Sequence, residues 1–347
     1  MPQRTVEHDA PDFSSTPMTH PQLVYVLAAS HSGSTLLAML LGSHAETCTV
    51  GELKVTSLGD AGHYLCSCGQ PIRQCTFWQQ VHAGMAAQDV SFDIANAATD
   101  IRHDPTWYTG RLLRPLHRGA LMERLRDAAL SLSPTWHRVR AGVQRRNRLL
   151  VQIICDLYGA HMLIDSSKVG LRLKYLLRDP ELDVRVVRLI RDGRAVALTY
   201  RDPHEFADAK DANLRHGGNG DGWAEHGRPI RDGAWEWRRS NEEAECLLRG
   251  VDPSRWTDVH YEELCADPDA TMDRLFRFLG LDPERRIGEF RTRAAHVIGN
   301  GMRLDTDCSV QTDDRWRSIL TAEDLAEFDA VAGDLNRRYG YTETPRT

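Results

Sequence analysis

Residues Leu23 to Ala29 form a short, unbroken apolar run containing Val24, Tyr25 and Val26, the pattern of a strand buried on both faces. A polar loop, Ser30 to Thr35, ends it, and Leu36, Leu37, Leu40 and Leu41 then recur at helical spacing. Strand, tight polar loop and helix together aim backbone N–H groups at an anion. Gly33 lets a phosphate approach the backbone closely, and Ser34 and Thr35 add hydroxyl donors. An ordinary strand-to-helix turn with a serine cap accounts for the same residues equally well.

The pattern repeats further along. Cys48 to Val50 reads as a short strand with Glu52 just past its end, the edge where open α/β sheets place their chemistry. His161 to Ile164 is a third strand, followed by a polar turn, Asp165 to Lys168, and a short helix over 171–180 stopped at Pro180. The run 183–190 (DVRVVRLI) is a fourth, with Arg191 at its end and a helix containing Ala195, Val196 and Leu198 after it. Several such units predict a doubly wound, largely parallel sheet with its strand-end loops on one edge.

Between these units, 77–160 reads as a helical insertion whose arginine-rich, leucine-bearing stretch is a solvated helix face. The glycine-rich stretch 202–233 reads as a long lid or binding loop. A helix is expected over 234–250, with Trp235 and Trp237 divided between surface and core. A strand and turn over 256–268 lead into an amphipathic helix over 268–282, closed at Gly280. Residues 296–306 are irregular, and a last helix starts at a Thr321–Asp324 capping box with Leu325, Phe328, Val331 and Leu335 along its inner face. Residues 1–21 are polar and proline-punctuated, a loose arm ahead of a single domain over 22–347.

With 347 residues, 41% hydrophobic and 27% charged, the chain is of ordinary globular composition. Its net charge of −6 excludes a global basic field for nucleic acid, so any anion site is local. The apolar stretch around the first loop falls short of the roughly 20 continuous residues a membrane span needs. The first residues lack an apolar signal-peptide region, and a cytoplasmic location is expected. Cys66, Cys68 and Cys75 cluster in one stretch. His63 or His82 could complete a zinc site there, but the spacing is unusual for zinc. A local disulfide is the other option, and the expectation is free, partly buried thiols in a reducing compartment.

The ordered set of motifs resembles the PAPS-dependent sulfotransferases (PAPS being 3′-phosphoadenosine 5′-phosphosulfate), from about residue 22 to 341. SHSGSTLL resembles that family's phosphosulfate loop, RDGRAVALT its 3′-phosphate motif, YEELCADPDATMDRLFRFLGL the strand–turn–helix that follows, and HVIGNGMR its C-terminal cofactor loop. The resemblance implies a P-loop-like three-layer fold with a central, largely parallel sheet flanked by helices. It implies donor binding by His31, Ser32, Gly33, Ser34 and Thr35, a 3′-phosphate grip from Arg191 and Thr199, and contacts from Tyr261, Gly299, Asn300 and Arg303. The implied reaction moves a sulfuryl group from PAPS to a hydroxyl or amine of a small-molecule or saccharide acceptor, with PAP as product and no metal. No nucleic-acid or membrane partner is implied, and a homodimer is compatible.

Two departures carry information. His31 stands where the family usually has Lys or Arg, which predicts a pH-sensitive donor site if His31 acts as a cation. Val169 follows Lys168, so the catalytic His of the cytosolic aryl branch is missing, and Glu52 fits the base of the tyrosylprotein- and carbohydrate-type branch instead. The implied catalytic set is Glu52, His31 and Lys168. The Walker sequence G-x-x-x-x-G-K-[ST] is absent, which counts against a nucleotide-dependent kinase. A PAP-binding protein without catalysis is the remaining alternative.

Overall fold

Alternation within β1 (Gln22–Ala28) organises the molecule. Leu23, Tyr25 and Leu27 face one hydrophobic cluster, while Val24, Val26 and Ala28 face another. Period-2 side chains that are apolar on both sides require cover on both faces of a sheet, which parallel strands obtain from their crossover helices. In the computed structural model, which describes residues 22–54, 58, 61–62, 64–103, 106–113, 119–201, 228–293, 296–299, 301–304 and 309–342, β1 is the central strand. It lies between β3 (Met162–Lys168) and β4 (Asp183–Ile190), and β2 (Thr47–Gly51) and β5 (Trp256–His260) are the edges. The order β2-β3-β1-β4-β5 is parallel throughout, the expected α/β three-layer arrangement.

The helices follow in chain order. α1 (Ser34–Leu41) is buried on every side. α2 (Thr76–Ala87), α3 (Trp107–Leu112), α4 (Gly119–Ser131) and α5 (Pro134–Tyr158) make up the insertion. α6 (Gly170–Leu176) and α7 (Gly193–Arg201) follow β3 and β4, and α8 (Ile230–Leu248) leads to β5. After β5 come α9 (Tyr261–Ala266), α10 (Pro268–Leu279), α11 (Phe290–Arg293), α12 (Trp316–Ile319) and α13 (Ala322–Arg338). The two-sided core explains the layers: α2 and α5 cover one face of the sheet, while α1, α9 and α10 cover the other. α7, α8 and α13 form a further cluster around Trp237 and Phe328.

Several expectations shift. Strand β3 runs through Asp165, Ser166 and Ser167, all fully buried, so the expected polar turn is strand. Asp165 and Ser167 are satisfied there, while the Ser166 hydroxyl has no hydrogen-bond partner among the described residues. Asp165 accepts from the Leu53 N–H at 3.2 Å and the Ser167 N–H at 2.9 Å, and Arg172 of α6 donates to it at 2.8 Å. Helix α6 ends at Leu176, before the expected 180. Helix α8 begins at Ile230, and Gly233 lets it press against Ala197 of α7, where a Cβ would sit 2.8 Å from the Ala197 Cα. The lid reading for 202–233 therefore fails at its end, and 202–227 lie outside the described residues, as does the arm 1–21. Within the insertion, the stretch between α2 and α3 is irregular, yet it buries Phe92, Ile94 and Ile101. The capping box at Thr321 and Asp324 forms as read, and Phe328 and Leu335 of α13 are buried. Trp237 is fully buried and Trp235 half exposed, dividing as expected between core and surface.

The buried Asp165–Arg172 pair makes a stability prediction. Arg172 also donates to the Thr99 carbonyl at 2.7 Å and to the Asn147 side chain at 2.9 Å. Arg172→Ala strips a buried carboxylate of its cation and should destabilise the fold by about 3–5 kcal/mol. Urea unfolding followed by circular dichroism measures it, and a loss under about 1 kcal/mol would mean that the pair is dispensable.

Candidate active site

The C-terminal ends of β1, β2, β3 and β4 converge, and their loops carry the predicted residues. After β1, the chain passes through Ser30–Gly33 into α1. His31 adopts φ 62° and Gly33 φ 87°, two left-handed residues two positions apart. Glycine is required at 33 for a second reason: the side where a Cβ would project is filled by the Tyr261 ring, 2.6 Å away. The expected close approach at Gly33 is thus made by Tyr261. No side chain caps α1, so its first-turn N–H groups lack intrahelical partners and face the loop. The hydroxyl of Ser32 is buried without a hydrogen-bond partner among the described residues.

After β2, Gly51 turns with φ 80° against the Ile298 carbonyl, and Glu52 follows. The Glu52 N–H donates to that carbonyl at 3.3 Å, and the Ile298 N–H donates to Val50 at 2.9 Å. Part of the stretch read as an irregular cofactor loop is thus laid along the edge of β2. Asp165 and Ser167 hold the backbone just beyond, accepting from the N–H groups of Leu53 and Lys54.

After β3, Lys168 is left-handed at φ 68°, and its ammonium group donates to a Glu52 carboxylate oxygen. For a residue with a Cβ this backbone costs roughly 1–2 kcal/mol, tolerated because the Tyr25 hydroxyl fixes the next carbonyl, Val169, at 2.9 Å. After β4, Arg191 is buried. It donates to the His31 carbonyl at 2.8 Å and to Asp313 at 2.9 and 3.0 Å, and its guanidinium lies 4.4 Å from the Tyr261 ring centroid. The Trp237 indole donates to the Arg191 carbonyl at 3.0 Å, fixing this turn from the far side. The Arg191 Nε is buried without a partner among the described residues.

Electrostatics bind these loops into one unit. Burial pushes the Glu52 carboxyl upward, but Lys168 and Lys54 outweigh it and hold Glu52 below its ordinary value. Lys54 is itself lowered, chiefly by burial. The His31 imidazole is pushed down to about 3, first by burial and then by Lys168 and Arg191. His31 is therefore neutral near pH 7, so the condition for a pH-sensitive cation at this position is not met at rest. Its ring instead packs edge-on against Tyr200, with centroids 5.0 Å apart. Asp313 is held at about 2: burial raises it, but Arg315 and Arg191 more than compensate.

Other predicted residues stand differently. The Thr199 hydroxyl bonds back to the Ala195 carbonyl in its own helix at 3.1 Å. Tyr261 donates to the Gln311 carbonyl at 3.2 Å, and burial lifts its hydroxyl to about 12. Gly299, at φ 123°, lies against Glu52, where a Cβ would be 3.2 Å from the Glu52 side chain. Arg303 does not join the loop of His31 and Gly33. It is buried, stacks 4.3 Å over the Tyr64 ring, and donates to the carbonyls of Gly299 at 2.6 Å and Leu65 at 3.1 Å, bracing the loop from behind. Asn300 lies outside the described residues. Asp313 and Tyr25 escaped the sequence reading, because their partners are far away along the chain. The three clustered cysteines meet His296, a ligand candidate also missed. His82 bonds instead to the Phe92 carbonyl at 2.7 Å, and His63 lies outside the described residues.

A model of the sulfotransferase family matches residues 183–285, the stretch that carries Arg191, Thr199 and Tyr261. Carbohydrate sulfotransferase 5 of Mus musculus is 29% identical over 201 residues, covering 55% of this chain and 50% of the relative. Carbohydrate sulfotransferase 6 of Homo sapiens is 31% identical over 210 residues, covering 57% of this chain and 52% of the relative. The chain thus spans about half the length of the curated relatives it matches. The solved sulfotransferase domain from the curacin biosynthetic pathway superposes with a TM-score of 0.45 at 16% identity, covering 95% of this chain and all of that one. With the family model lying across the β4 loop and two curated carbohydrate sulfotransferases aligned over more than half of its residues, this chain is similar to sulfotransferases along the stretch that carries Arg191, Thr199 and Tyr261.

Proposed function

We propose that the chain transfers a sulfuryl group from PAPS to a hydroxyl of a saccharide-type acceptor, with Glu52 as the base. The observation that carries this reading is the Glu52–Lys168 ion pair at the strand ends, beside the His31 loop. A base and a cation are thereby placed together, next to a loop with uncapped helix N–H groups and an orphaned Ser32 hydroxyl. The orphaned Nε of Arg191 supplies donor capacity at the far end. These are the unmet polar needs that a two-ended anionic nucleotide satisfies. The saccharide class comes from the carbohydrate sulfotransferase relatives.

PAPS supplies the sulfuryl group. An acceptor oxygen attacks sulfur in line, a new O–S bond forms, and the bridging S–O bond breaks with its electron pair moving to the departing 5′-phosphate. Ser32, Gly33, Ser34 and Thr35 hold the phosphosulfate end, and Arg191 with Thr199 takes the 3′-phosphate. For that, Arg191 exchanges Asp313 for the phosphate, and Thr199 turns from its own helix. Lys168 neutralises the departing oxygen, an electrostatic role of the kind that dominates such transfers. Glu52 takes the acceptor proton. While Lys168 rests on Glu52 the carboxylate is a weak base; as Lys168 follows the leaving oxygen, Glu52 becomes more basic. One lysine thus couples proton removal to bond breaking.

PAP should raise the melting temperature of the protein and ATP with Mg²⁺ should leave it nearly unchanged; the reverse order in a thermal-shift titration would point to a kinase. Glu52→Gln should fold, retain PAP and lose roughly 10²–10⁴-fold in turnover with labelled PAPS and an oligosaccharide panel. Undiminished turnover in that variant would remove Glu52 as the base.

Arg191→Ala should weaken PAP by roughly 10- to 100-fold, the worth of a charged hydrogen bond, while adenosine 5′-phosphosulfate, without a 3′-phosphate, loses much less. Equal losses in calorimetric titrations of the two nucleotides would show that Arg191 does not meet the 3′-phosphate.

His31 sets a pH dependence with a definite sign. Its folded pKa of about 3 lies below the ordinary 6.5, so between those values the unfolded chain binds a proton that the native state does not. Its contribution to stability is intact above the ordinary value and is lost as pH falls toward about 3. His31→Gln should flatten the acid side of the urea-midpoint profile relative to the parent. NMR should find the His31 ring neutral down to pH 5 without nucleotide; a titration near the ordinary histidine value would contradict this.

A further inference from the structure

The chain holds a second constellation that the proposed reaction leaves unused. Cys66, Cys68, Cys75 and His296 place one ligand atom each within 4.8 Å of all the others. The Sγ atoms of Cys68 and Cys75 are 3.7 Å apart, as are those of Cys75 and Cys66. The Nδ1 of His296 lies 3.3 Å from the Cys75 sulfur and 3.7 Å from the Cys66 sulfur. A tetrahedral zinc ion with Zn–S near 2.3 Å and Zn–N near 2.0 Å separates its sulfurs by about 3.8 Å and sulfur from nitrogen by about 3.5 Å. Those four separations match that shell, and the other two lie within 4.8 Å. A disulfide would use two of the sulfurs and explain neither the third nor the imidazole.

The surrounding structure presents these atoms. Cys66 and Cys68 flank a tight turn in which the Gly69 N–H donates to the Cys66 carbonyl at 2.8 Å, and the Cys66 N–H donates to Gln70 at 2.9 Å. Gly69 takes φ 82°, which its lack of a Cβ permits. Cys75 stands at the N-cap of α2 without acting as a side-chain cap, and a helix N-terminus favours a thiolate. The Phe77 ring stacks parallel to His296, with centroids 4.5 Å apart, fixing the imidazole plane so that Nδ1 faces the sulfurs.

We infer that Cys66, Cys68, Cys75 and His296 form a zinc site. Three thiolates and an imidazole fill a tetrahedral shell and leave no position for substrate, so the ion is structural. This revises the expectation of free thiols, and it stands whatever reaction the neighbouring site performs. The ion joins the cysteine turn to the 296–299 segment across a span of 221 residues from Cys75 to His296. Ser67 and Tyr64 stitch the same seam: Ser67 donates from its N–H to the Val297 carbonyl at 3.3 Å, and Tyr64 accepts from the Gly299 N–H at 2.8 Å. Because Gly299 and Ile298 pack against Glu52 and Gly51, the ion supports one wall of the active site from outside it.

The test uses the full chain, purified under reducing conditions without chelator. Elemental analysis should find one zinc ion per chain. Cys68→Ser, at the most exposed ligand, should fold and lose the ion to a chelator that the parent resists. Cys246→Ser, outside the cluster, should keep it. Exchange with Co²⁺ should give the visible absorption bands of a tetrahedral cobalt thiolate in the parent and lose them in His296→Ala. A zinc-free parent whose three thiols all react with a thiol reagent would overturn the inference. So would a Cys66–Cys75 or Cys68–Cys75 disulfide recovered by mass spectrometry from that preparation, or a cobalt spectrum unchanged in His296→Ala.

Discussion

The site depends first on one carboxylate buried in the sheet. Asp165 sits where strand β3 should already have given way to a loop, and it is fully enclosed. A charge there is tolerable only with a cation and further donors. Arg172 supplies the cation, and the backbone N–H groups of Leu53 and Ser167 are the donors. Those contacts do more than offset desolvation. The bond to Leu53 fixes the chain just past Glu52, and the bond to Ser167 fixes the chain just before Lys168. Glu52 and Lys168 thus meet because each is one residue from a group that Asp165 holds. This ties the stability of the core to the placement of the chemistry, and a loosened Asp165 would disperse both.

Electrostatics then constrain the other side of the site. Lys168 and Arg191 already lie beside the loop that follows β1, and Lys54 joins Lys168 beside Glu52. Glu52 and Asp313 offset them, and each of those carboxylates is held low by its cations. The arrangement gathers cations where an anion could meet them, but Lys168 and Arg191 would first have to leave their carboxylates. It is also self-neutralising at rest, since Lys168 and Arg191 have internal partners to exchange.

The fold was legible because it rests on local patterns. The two-sided alternation of β1, the helical spacing of Leu36 to Leu41, and the strand-end placement of Glu52 and Arg191 are visible in short windows. Boundaries failed where tertiary contacts override local character. Asp165 to Ser167 look like a turn until Arg172 and Leu53 are seen to satisfy them. Gly233 looks like loop until Ala197 is seen to need the space for a helix crossing. Arg303 shows the same limit for the site: the resemblance of HVIGNGMR to a cofactor loop puts it around a nucleotide, whereas here it stacks over Tyr64 and donates to Leu65. His296 was out of reach for a plainer reason. Metal motifs announce themselves by spacing, and no spacing rule joins a histidine to cysteines more than 200 residues away.

The histidine in the phosphate loop follows from the same charge balance. A lysine or arginine at position 31 would be a permanent cation on a half-buried loop beside Lys168 and Arg191. Without nucleotide, that charge would add to two others that already depress the imidazole. Repulsion between buried like charges raises the energy of the empty site. An imidazole avoids this by staying neutral at rest, where it can still donate one hydrogen bond. On the proposed reading, an arriving phosphosulfate would bring negative charge to the loop and favour the protonated ring. Position 31 would then adjust its charge to that ligand, and without it the loop carries no third fixed cation beside Lys168 and Arg191.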